Sequence, residues 1–329
     1  MKLRVLHRTT YRYQSAVDMA QHMLHLSPRA TALQQVLSHQ LAIDPQPAAL
    51  HQSTDAFGNQ RTFFAQQAPH DSLSVLADST VATTAPGPLP ESGPWHALDW
   101  ERVREHFRYR VKAPYDPAAE FLFASPQVPR DEAFVAWARP VFAPGLPVLQ
   151  AVRALMEHIH SELQYETDST EVSTPPLQAL AQGKGVCQDF AHIMIGCLRS
   201  LGLPARYVSG YLLTRPPPGQ PRLIGADASH AWAAVYVPGE HGAEGEWFDF
   251  DPTNNRCGRG SPGEDYVTLA IGRDFSDVSP MRGVIQGGAQ HTLEVAVTVA
   301  PPDELEGRDL HPAIEPAPAS GRPIERGAR

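Results

Sequence analysis

Apolar and polar residues alternate along much of the N-terminal part of the chain, and this period of two predicts β-strands. Runs that are typical of half-buried strands lie over residues 2–13, 20–26, 35–43, 61–65 and 72–84. In the first run Leu3, Val5 and Tyr11 fall on the same side of the chain. Turn-forming residues at 55–59 suit a hairpin between two of the runs. We therefore expect an antiparallel β domain over residues 1–95.

Proline interrupts this pattern after residue 85. The chain has 32 prolines in 329 residues, and four of them lie with two glycines between residues 86 and 94. Proline lacks a backbone N–H group and cannot continue a strand ladder, so the β pattern ends there. Aromatic residues separated by further prolines follow. This composition predicts a Pro-rich connection with short helices over residues 96–140.

Between residues 141 and 300 the hydrophobic period first changes to three and four residues, which predicts helices. One helix follows Pro147, and a second begins near Cys187 and ends at Gly202, before Pro204. Three runs with strand character come next, over residues 205–213, 230–237 and 247–251. Helices followed by an antiparallel sheet form a domain of the α+β class.

Two later runs and the end of the chain complete the predicted organisation. Residues 266–271 and 291–299 have strand character and could join either domain, and we group them with the second domain as trailing strands. Residues 301–329 are rich in Pro, Glu, Arg and Ala. They bury too little apolar surface to offset the entropy cost of ordering, so we expect a disordered tail.

Charge and composition exclude several classes of protein. Lys and Arg total 27 against 36 for Asp and Glu, which gives a net charge of −9, whereas nucleic-acid binding needs clustered positive charge. No apolar run is long enough to span a membrane, and basic residues near the start break any signal peptide. Three cysteines without a C-x-x-C pair indicate no disulfide framework and no structural zinc. We expect a cytoplasmic protein with neither a nucleic-acid nor a membrane partner.

Cys187 is the first candidate for chemistry. Glycines at 183 and 185 precede it, and the helical pattern places it in the first turn of the second helix. Backbone N–H groups and the helix dipole stabilise negative charge at that end, which suits a thiolate nucleophile and an oxyanion. The same cysteine continues the apolar stripe of Phe190, Met194 and Leu201, so a buried core residue is the alternative.

A thiolate nucleophile needs a base, and His230 is the best placed of the 15 histidines, although a structural histidine is the alternative. The imidazole also needs an orienting carboxylate, and Asp249 and Asp251 share one face of the next strand. We expect Val237 to pair with Glu246 across the intervening loop. In that register Asp251 is diagonal to His230, and Asp249 is one pair further away. We therefore predict that Asp251 orients the imidazole.

Three segments in this order resemble the transglutaminase-like superfamily of papain-like cysteine enzymes: GKGVCQDFAHIMIGCLRSLGLPARYVSGYL, ASHAWAAVYVPG and WFDFDPTN. The N-terminal strands with their DAFGN turn, and the YVTLAIGRDFSDVSPMRGV stretch, resemble its bacterial branch of transglutaminase-like cysteine proteases. The resemblance implies a papain-like core, with helices packed on an antiparallel sheet, behind an N-terminal antiparallel β domain. It also implies that Cys187, His230 and Asp251 are the nucleophile, the base and the orienting carboxylate.

Further site residues follow from the resemblance or from their place near this triad. Animal transglutaminases use a tryptophan upstream of the cysteine as an oxyanion donor. Tyr165 is the nearest equivalent here, and a packed interface tyrosine is the alternative. Candidates for substrate contact lie beside the cysteine or on the two triad strands: Gln188, Asp189, His192, Trp232 and Trp247. For Asp189 and His192 the alternative is a capping and space-filling role in the helix.

Nothing in the sequence indicates a metal ion or another cofactor. Cys187 and His192 are five residues apart, which does not place them on one face of a helix, and no carboxylate–histidine cluster completes a site. The calcium requirement of animal transglutaminases is not indicated either, because no dense acidic loop of suitable spacing occurs.

These residues predict an enzyme that acts on amide bonds of a peptide or protein substrate through a thioester. Water as the acyl acceptor would make it a protease or amidase, and an amine would make it a protein-glutamine gamma-glutamyltransferase. We favour water, since water needs no dedicated binding site. A non-catalytic peptide-binding module is an alternative of another class, which the complete triad disfavours. In a further alternative the β domain carries the function and the core is a scaffold.

Overall fold

The computed structural model describes residues 1–112, 114–167, 169–215, 223–239, 244–288 and 290–306. It contains two large antiparallel sheets, and helices cover one face of the second. The N-terminal part forms five strands: β1 (Lys2–Leu24), β2 (Gln34–Asp44), β3 (Leu50–Thr54), β4 (Gln60–Gln66) and β5 (His70–Thr83). No helix within the described ranges is long and apolar enough to cross a membrane.

Strand β1 organises the first sheet. It has 23 residues and pairs with β5 along its first half and with β4 along its second half. The sequence predicts separate strands over 2–13 and 20–26, and the structure joins them into one. The ladder with β5 is irregular between Arg12 and Val17, where residues 14–16 are all exposed. Because residues on both faces of the strand are exposed there, apolar and polar residues do not alternate, and the sequence pattern predicts no strand at 14–16.

The connection between the sheets packs three short helices on the second sheet's core: α1 (Pro94–Ala97), α2 (Trp100–His106) and α3 (Glu132–Ala138). The side chain of Asp131 caps α3 by accepting a hydrogen bond from the Ala133 backbone N–H at 2.8 Å. Trp100 and Phe134 are buried in the same hydrophobic core as the later helices. Short helices thus occupy this connection, and they form part of the core.

The second unit begins with three helices and two very short strands: α4 (Val148–Glu162), β6 (Gln164–Tyr165), α5 (Pro176–Gln182), β7 (Lys184–Gly185) and α6 (Cys187–Ser200). Its strands follow: β8 (Ala205–Leu212), β9 (Ser229–Val237), β10 (Glu246–Asp251), β11 (Arg256–Arg259) and β12 (Tyr266–Gly272). They form a sheet in the order β11-β10-β9-β8-β12. Helices packed on an antiparallel sheet confirm the predicted α+β class.

Helix α6 is buried along most of its length, between the sheet and α3. The alternating residues Ala231, Ala233 and Val235 of β9 are buried in the core that includes α6. On the other side, a Cβ atom at Gly196 would lie 2.7 Å from the ring of Phe134. Glycine therefore allows α3 and α6 to approach each other, and this packing fixes the axis of α6.

The end of the chain returns to the first sheet after a short helix α7 (Phe275–Val278), through β13 (Met281–Gly287) and β14 (His291–Ala300). Both strands pair with β1. We grouped residues 141–300 as one domain, whereas the structure places residues 281–300 in the first sheet and keeps β12 in the second. Alternation predicts a strand but not its partner, because every strand edge offers the same backbone donors and acceptors.

Beyond β14 the chain makes one short 3₁₀ turn, Pro302–Leu305. Leu305 is 1% exposed and packs with Leu6 and Ala300. The prediction of a disordered tail over 301–329 is therefore wrong for residues 301–306, because Leu305 finds an apolar site on the first sheet. Residues 307–329 lie outside the described ranges.

His22 is a buried polar residue of the first sheet. Its ring stacks on Phe64 with the centroids 5.0 Å apart, and within the described part of the chain neither ring nitrogen has a hydrogen-bond partner. Burial, with the charge of nearby His70, lowers the pKa of His22 to about 4. In the unfolded chain the pKa of a histidine is about 6.5, so the unfolded state takes up a proton first as the pH falls. The contribution of neutral His22 to the free energy of unfolding is therefore fully present above about pH 6.5 and is lost as the pH falls towards about 4.

We expect the substitution His22→Phe to reduce the loss of unfolding free energy between pH 7 and pH 5 by about 2 kcal/mol. Phenylalanine keeps the stack on Phe64 and loses no ring hydrogen bond to the described residues, so the variant should match the wild type at pH 7. Denaturant unfolding at both pH values measures the difference. His51→Phe, on the exposed face of β3, is the control. Equal losses in wild type and His22→Phe would contradict the prediction.

Candidate active site

Cys187 is the first residue of α6, as the sequence predicts, and it is partly exposed. The turn before it is held by Asp189, whose Oδ2 accepts hydrogen bonds from the Val186 N–H at 2.8 Å and the Thr170 hydroxyl at 2.6 Å. A Cβ atom at Gly185 would lie 2.7 Å from the Asp189 side chain, so only glycine fits there. Asp189 is 1% exposed. Its predicted contact with substrate is therefore wrong, and it caps the helix.

The other two cysteines have different surroundings. Cys197 is completely buried in α6, and burial raises the pKa of its thiol well above the usual range. Cys257 lies on β11, and burial also raises the pKa of its thiol. Cys187 is thus the cysteine that combines partial exposure, a helix start and a neighbouring histidine.

His230 and Asp251 form a close pair on adjacent strands. The predicted pairing of Val237 with Glu246 is confirmed, and it brings the carboxylate diagonally beside the imidazole. The distance from His230 Nε2 to Asp251 Oδ2 is 2.7 Å. Because Nε2 is bonded to the carboxylate, Nδ1 is the ring nitrogen that is available to the Cys187 thiol.

Asp251 is completely buried and accepts five hydrogen bonds, so its charge is well compensated. Its Oδ2 accepts from His230, from the Tyr266 hydroxyl at 2.7 Å and from the Asn254 side-chain amide at 2.8 Å. Its Oδ1 accepts from the backbone N–H groups of Thr253 and Asn254. Burial would raise the pKa of Asp251, but these bonds and the charge of His230 outweigh it and lower the pKa. The group therefore remains a carboxylate at neutral pH.

Tyr266 and Asn254 are absent from the residues selected by sequence reasoning. Asn254 lies three positions after Asp251 in the DPTN turn. Aspartate side chains often accept hydrogen bonds from the residues that follow them in a turn, so the sequence allowed this contact to be predicted. Tyr266 lies fifteen residues away on β12, and no local pattern links it to the triad.

His230 sits between two acidic groups. Burial alone would lower its pKa, but hydrogen bonds and charge interactions with Asp251 and Cys187 raise the pKa to about 10. An imidazolium at this position is therefore favoured at neutral pH when the thiol is ionised. The proton is lost as the pH rises towards the raised value.

Asp249 occupies a separate environment although it is only two residues from Asp251. Its Oδ1 accepts a hydrogen bond from Trp232 Nε1 at 2.7 Å, and burial raises its pKa to about 6 against the opposing charge of Arg206. Trp232 is 0% exposed, so its predicted contact with substrate is wrong. Its ring lies in a buried cluster with Val208, Tyr266 and Ile271 of the same sheet, and Phe57 from the turn between β3 and β4 packs against this cluster.

Trp247 lies further from the triad than Trp232, whose ring centroid is 6.1 Å from that of His230. The guanidinium of Arg206 stacks over its ring at 4.0 Å, and Phe121 contacts its edge at 5.2 Å between centroids. It precedes Asp251 by four residues on β10, which places it about 13 Å along the strand. Trp247 is partly exposed, so its contact with substrate, at a distance from the nucleophile, stays a prediction.

Tyr165 lies beside the cysteine turn. It pairs with Gly185 in the short β6–β7 ladder, and its ring contacts the edge of Phe190 at 6.3 Å between centroids. The side chain is 49% exposed. Burial of part of the ring and the charge of Cys187 raise the pKa of its phenol, so the hydroxyl keeps its proton near the thiol.

The two remaining candidates of α6 have opposite surroundings. Gln188 is partly exposed, and its Nε2 donates to the Val172 carbonyl at 3.0 Å, so it lies at the edge of the cysteine turn. His192 is 1% exposed, and its Nε2 accepts a hydrogen bond from the Phe275 N–H at 3.2 Å. Burial lowers its pKa to about 4, so it is neutral. Its predicted contact with substrate is wrong, and it anchors α7 to α6.

In the described ranges, no group of three or more His, Cys, Asp or Glu side chains is arranged to hold a metal ion.

Comparisons with known proteins give consistent results. Residues 3–82 match the bacterial transglutaminase-like N-terminal region, and residues 135–252 match the transglutaminase-like superfamily core. An uncharacterized protein of Mycobacterium tuberculosis is 39% identical over 313 residues, covering 94% of this chain and 95% of the relative. One from Mycobacterium leprae is 31% identical over 301 residues, covering 91% and 98%.

A solved structure of a candidate cysteine protease from Cytophaga hutchinsonii has a similar fold. It is 21% identical with a TM-score of 0.65, and the match covers 90% of each chain. The expected core of helices on an antiparallel sheet, behind an N-terminal β domain, is thus confirmed.

We expect Cys187 to be the first cysteine that iodoacetamide modifies at pH 7, because its neighbouring imidazolium stabilises the thiolate. In His230→Ala the rate should fall about tenfold or more. Peptide mapping after short exposure measures the rate at each cysteine. Faster labelling of Cys257, or an unchanged rate at Cys187 in the variant, would contradict the interpretation.

Proposed function

The chain belongs to the transglutaminase-like superfamily, with the bacterial transglutaminase-like N-terminal region, and we propose that it is a cysteine-dependent enzyme acting on amide bonds of peptides or proteins. The observation that carries this proposal is the 2.7 Å bond of His230 to a buried, fully hydrogen-bonded Asp251, with Cys187 on the other side of the imidazole. The base thus lies between the nucleophile and the orienting carboxylate, which is the arrangement that acyl transfer requires.

In the first half-reaction the Cys187 thiolate attacks the carbonyl carbon of the substrate amide. A carbon–sulfur bond forms, and the carbonyl electrons move onto oxygen. The carbon–nitrogen bond then breaks, and His230 gives its proton to the departing amine. The products of this step are a thioester on Cys187, a free amine and a neutral imidazole. Asp251 keeps the ring oriented throughout, because its carboxylate holds Nε2.

The oxyanion needs donors that are in place before the reaction. The backbone N–H of Cys187 lies at the start of α6, where the first N–H groups have no partner within the helix. The hydroxyl of Tyr165 is the second donor in our proposal, since its ring lies beside the cysteine turn and its phenol stays protonated. Gln188 is the candidate for contact with the substrate at the edge of this turn.

We further propose that water is the acceptor in the second half-reaction, which makes the enzyme a protease or amidase. The neutral His230 takes a proton from water, and the hydroxide attacks the thioester carbonyl. The carbon–sulfur bond then breaks, which releases a carboxylic acid and restores the Cys187 thiolate beside the His230 imidazolium. Transfer to an amine requires that water is excluded from the thioester, usually by aromatic walls. Trp232 is completely buried behind His230, with the ring centroids 6.1 Å apart, and Trp247 lies about 13 Å along the strand from Asp251, so neither forms an exposed wall beside the thiol. This arrangement favours hydrolysis over amine transfer.

We expect Asp251→Asn to lower turnover about a thousandfold or more, because the amide can hold the imidazole in the wrong tautomer. Asp249→Asn should lower turnover about tenfold at most, since its partner is Trp232. Both variants change one carboxylate to an amide on the same strand, so each is a control for the other. Steady-state cleavage of a peptide selected on the wild type measures both. Equal losses, or a larger loss at residue 249, would reassign the carboxylate.

We expect a mass increase on Cys187, from a thioester, when the enzyme is quenched with acid during turnover of a glutamine-containing peptide library. With excess primary amine the main product should remain the acid or the cleaved fragment, with little amine incorporated. Intact-protein and peptide mass spectrometry follow both. Cys187→Ala is the control and should show no adduct.

Amine incorporation above the hydrolytic rate at millimolar amine would contradict the hydrolase proposal and favour a glutamyltransferase. Absence of any adduct across the library, with peptide still bound, would favour a non-catalytic binding module.

A further inference from the structure

The edge strand β12 of the second sheet is bound along its outer side by a side chain of the first sheet. Gln34, on β2, is 5% exposed. Its Nε2 donates to the Thr268 carbonyl at 2.7 Å, and its Oε1 accepts from the Thr268 N–H at 2.8 Å. One side-chain amide thus replaces the neighbouring strand at this residue.

Asn59 makes the same pair of bonds three residues further along β12. Its Nδ2 donates to the Ile271 carbonyl at 2.7 Å, and its Oδ1 accepts from the Ile271 N–H at 2.9 Å. Asp55 and Arg29 hold the amide from behind, at 2.8 and 3.0 Å. The β8–β12 pairing is irregular between Thr268 and Ala270, so the two amides hold the strand on either side of this irregularity.

Strand β12 begins with Tyr266, whose hydroxyl donates to Asp251. Tyr266 is 2% exposed, and its ring centroid lies 5.9 Å from that of His230. Thr268, which Gln34 holds, is two residues away on the same face of the strand. The position of the Tyr266 hydroxyl therefore depends on a contact made by the first sheet.

The first sheet also holds the loop that leads into His230. The backbone N–H of Asp227 donates to the Val297 carbonyl at 2.9 Å, and the Asp227 carboxylate accepts from the Val299 N–H at 2.8 Å. The Gly225 N–H donates to the Thr298 hydroxyl oxygen at 2.7 Å. These bonds to β14 lie three and five residues before His230, so the imidazole side of the pair is anchored as well.

We propose that the first sheet is a positioning element of the triad, with Gln34 and Asp227 as its positioning residues. Gln34 acts through Tyr266 on Asp251, and Asp227 acts on the start of β9 and so on His230. This inference rests on the proposed function, because it assumes that the Cys187–His230 pair performs the chemistry. It assigns to the N-terminal domain a role in the reaction that requires no contact between this domain and the substrate.

The experiment measures iodoacetamide modification of Cys187 between pH 5 and pH 9 in the full chain. A thiolate paired with an imidazolium reacts below neutral pH, and an isolated thiol does not. Gln34→Met keeps the length of the side chain but removes both bonds to Thr268. We expect it to lower the rate at pH 6 about tenfold and to leave the rate at pH 9 unchanged. Asp227→Ala should lower the rate at pH 6 in the same way. Asp227→Asn keeps an acceptor oxygen, so its modification rate should have the wild-type dependence on pH.

The control is Tyr211→Phe, which removes another buried hydrogen bond between the sheets, from Tyr211 to His7 at 2.9 Å. The hydroxyl that this variant removes bonds to His7, not to β12 or to the loop before His230, so the pH profile of the variant should equal that of the wild type. Tyr266→Phe keeps the test possible if Gln34→Met fails to fold, and it should lower the pH 6 rate by a similar factor. The double variant of Gln34 and Tyr266 should lose less than the product of the single losses, since both act on one bond.

Folded Gln34→Met and Asp227→Ala variants with the wild-type profile would overturn the inference and leave the proposed function intact. If the Cys187 modification rate of Tyr266→Phe has the same pH dependence as that of the wild type, the proposed action of Gln34 through β12 is wrong. If the wild type at pH 6 reacts no faster than His230→Ala, the proposed function fails and the inference fails with it.

Discussion

The buried carboxylate of Asp251 is the constraint on which the rest of the site depends. A charge removed from water costs several kcal/mol unless hydrogen bonds replace the lost hydration. Five such bonds converge here, from His230, Tyr266, Asn254 and the backbone of the following turn. Three strands and one turn must therefore meet at a single pair of oxygen atoms. That requirement links the geometry of the imidazole to elements far apart in the chain.

The contrast with Asp249 shows that environment, rather than residue type, decides which carboxylate serves the imidazole. Both aspartates are buried on the same face of β10. Asp251 receives a full set of donors, which lowers its pKa, whereas burial raises the pKa of Asp249 to about 6. Asp249 instead orients Trp232 in the layer between the sheets. The carboxylate that bonds to the imidazole and the carboxylate that supports packing are thus separated by a single intervening residue.

Each of the two sheets holds different residues of the site in place. Helix α6 and β9 place Cys187 and His230 within one compact core, while the first sheet holds the outer edge of β12 and the loop before β9. Strand β14 reaches this loop only because the chain returns to β1 at its end. The sequence pattern predicts the N-terminal sheet as a separate domain, but buried hydrogen bonds connect this sheet to the site. Such bonds weaken when their partners move apart, so they restrict movement between the sheet and the site.

The sequence by itself determined most of the long elements, the α+β class, the position of Cys187 at a helix start and the choice of Asp251 over Asp249. These depend on local periodicity and on the register of one hairpin, which neighbouring residues fix. Only the tertiary structure decided that β13 and β14 join the first sheet, that Trp232 and His192 are buried, and that Tyr266 completes the carboxylate site. The physical reason is that alternation defines the face on which a side chain lies, whereas remote elements decide what covers that face.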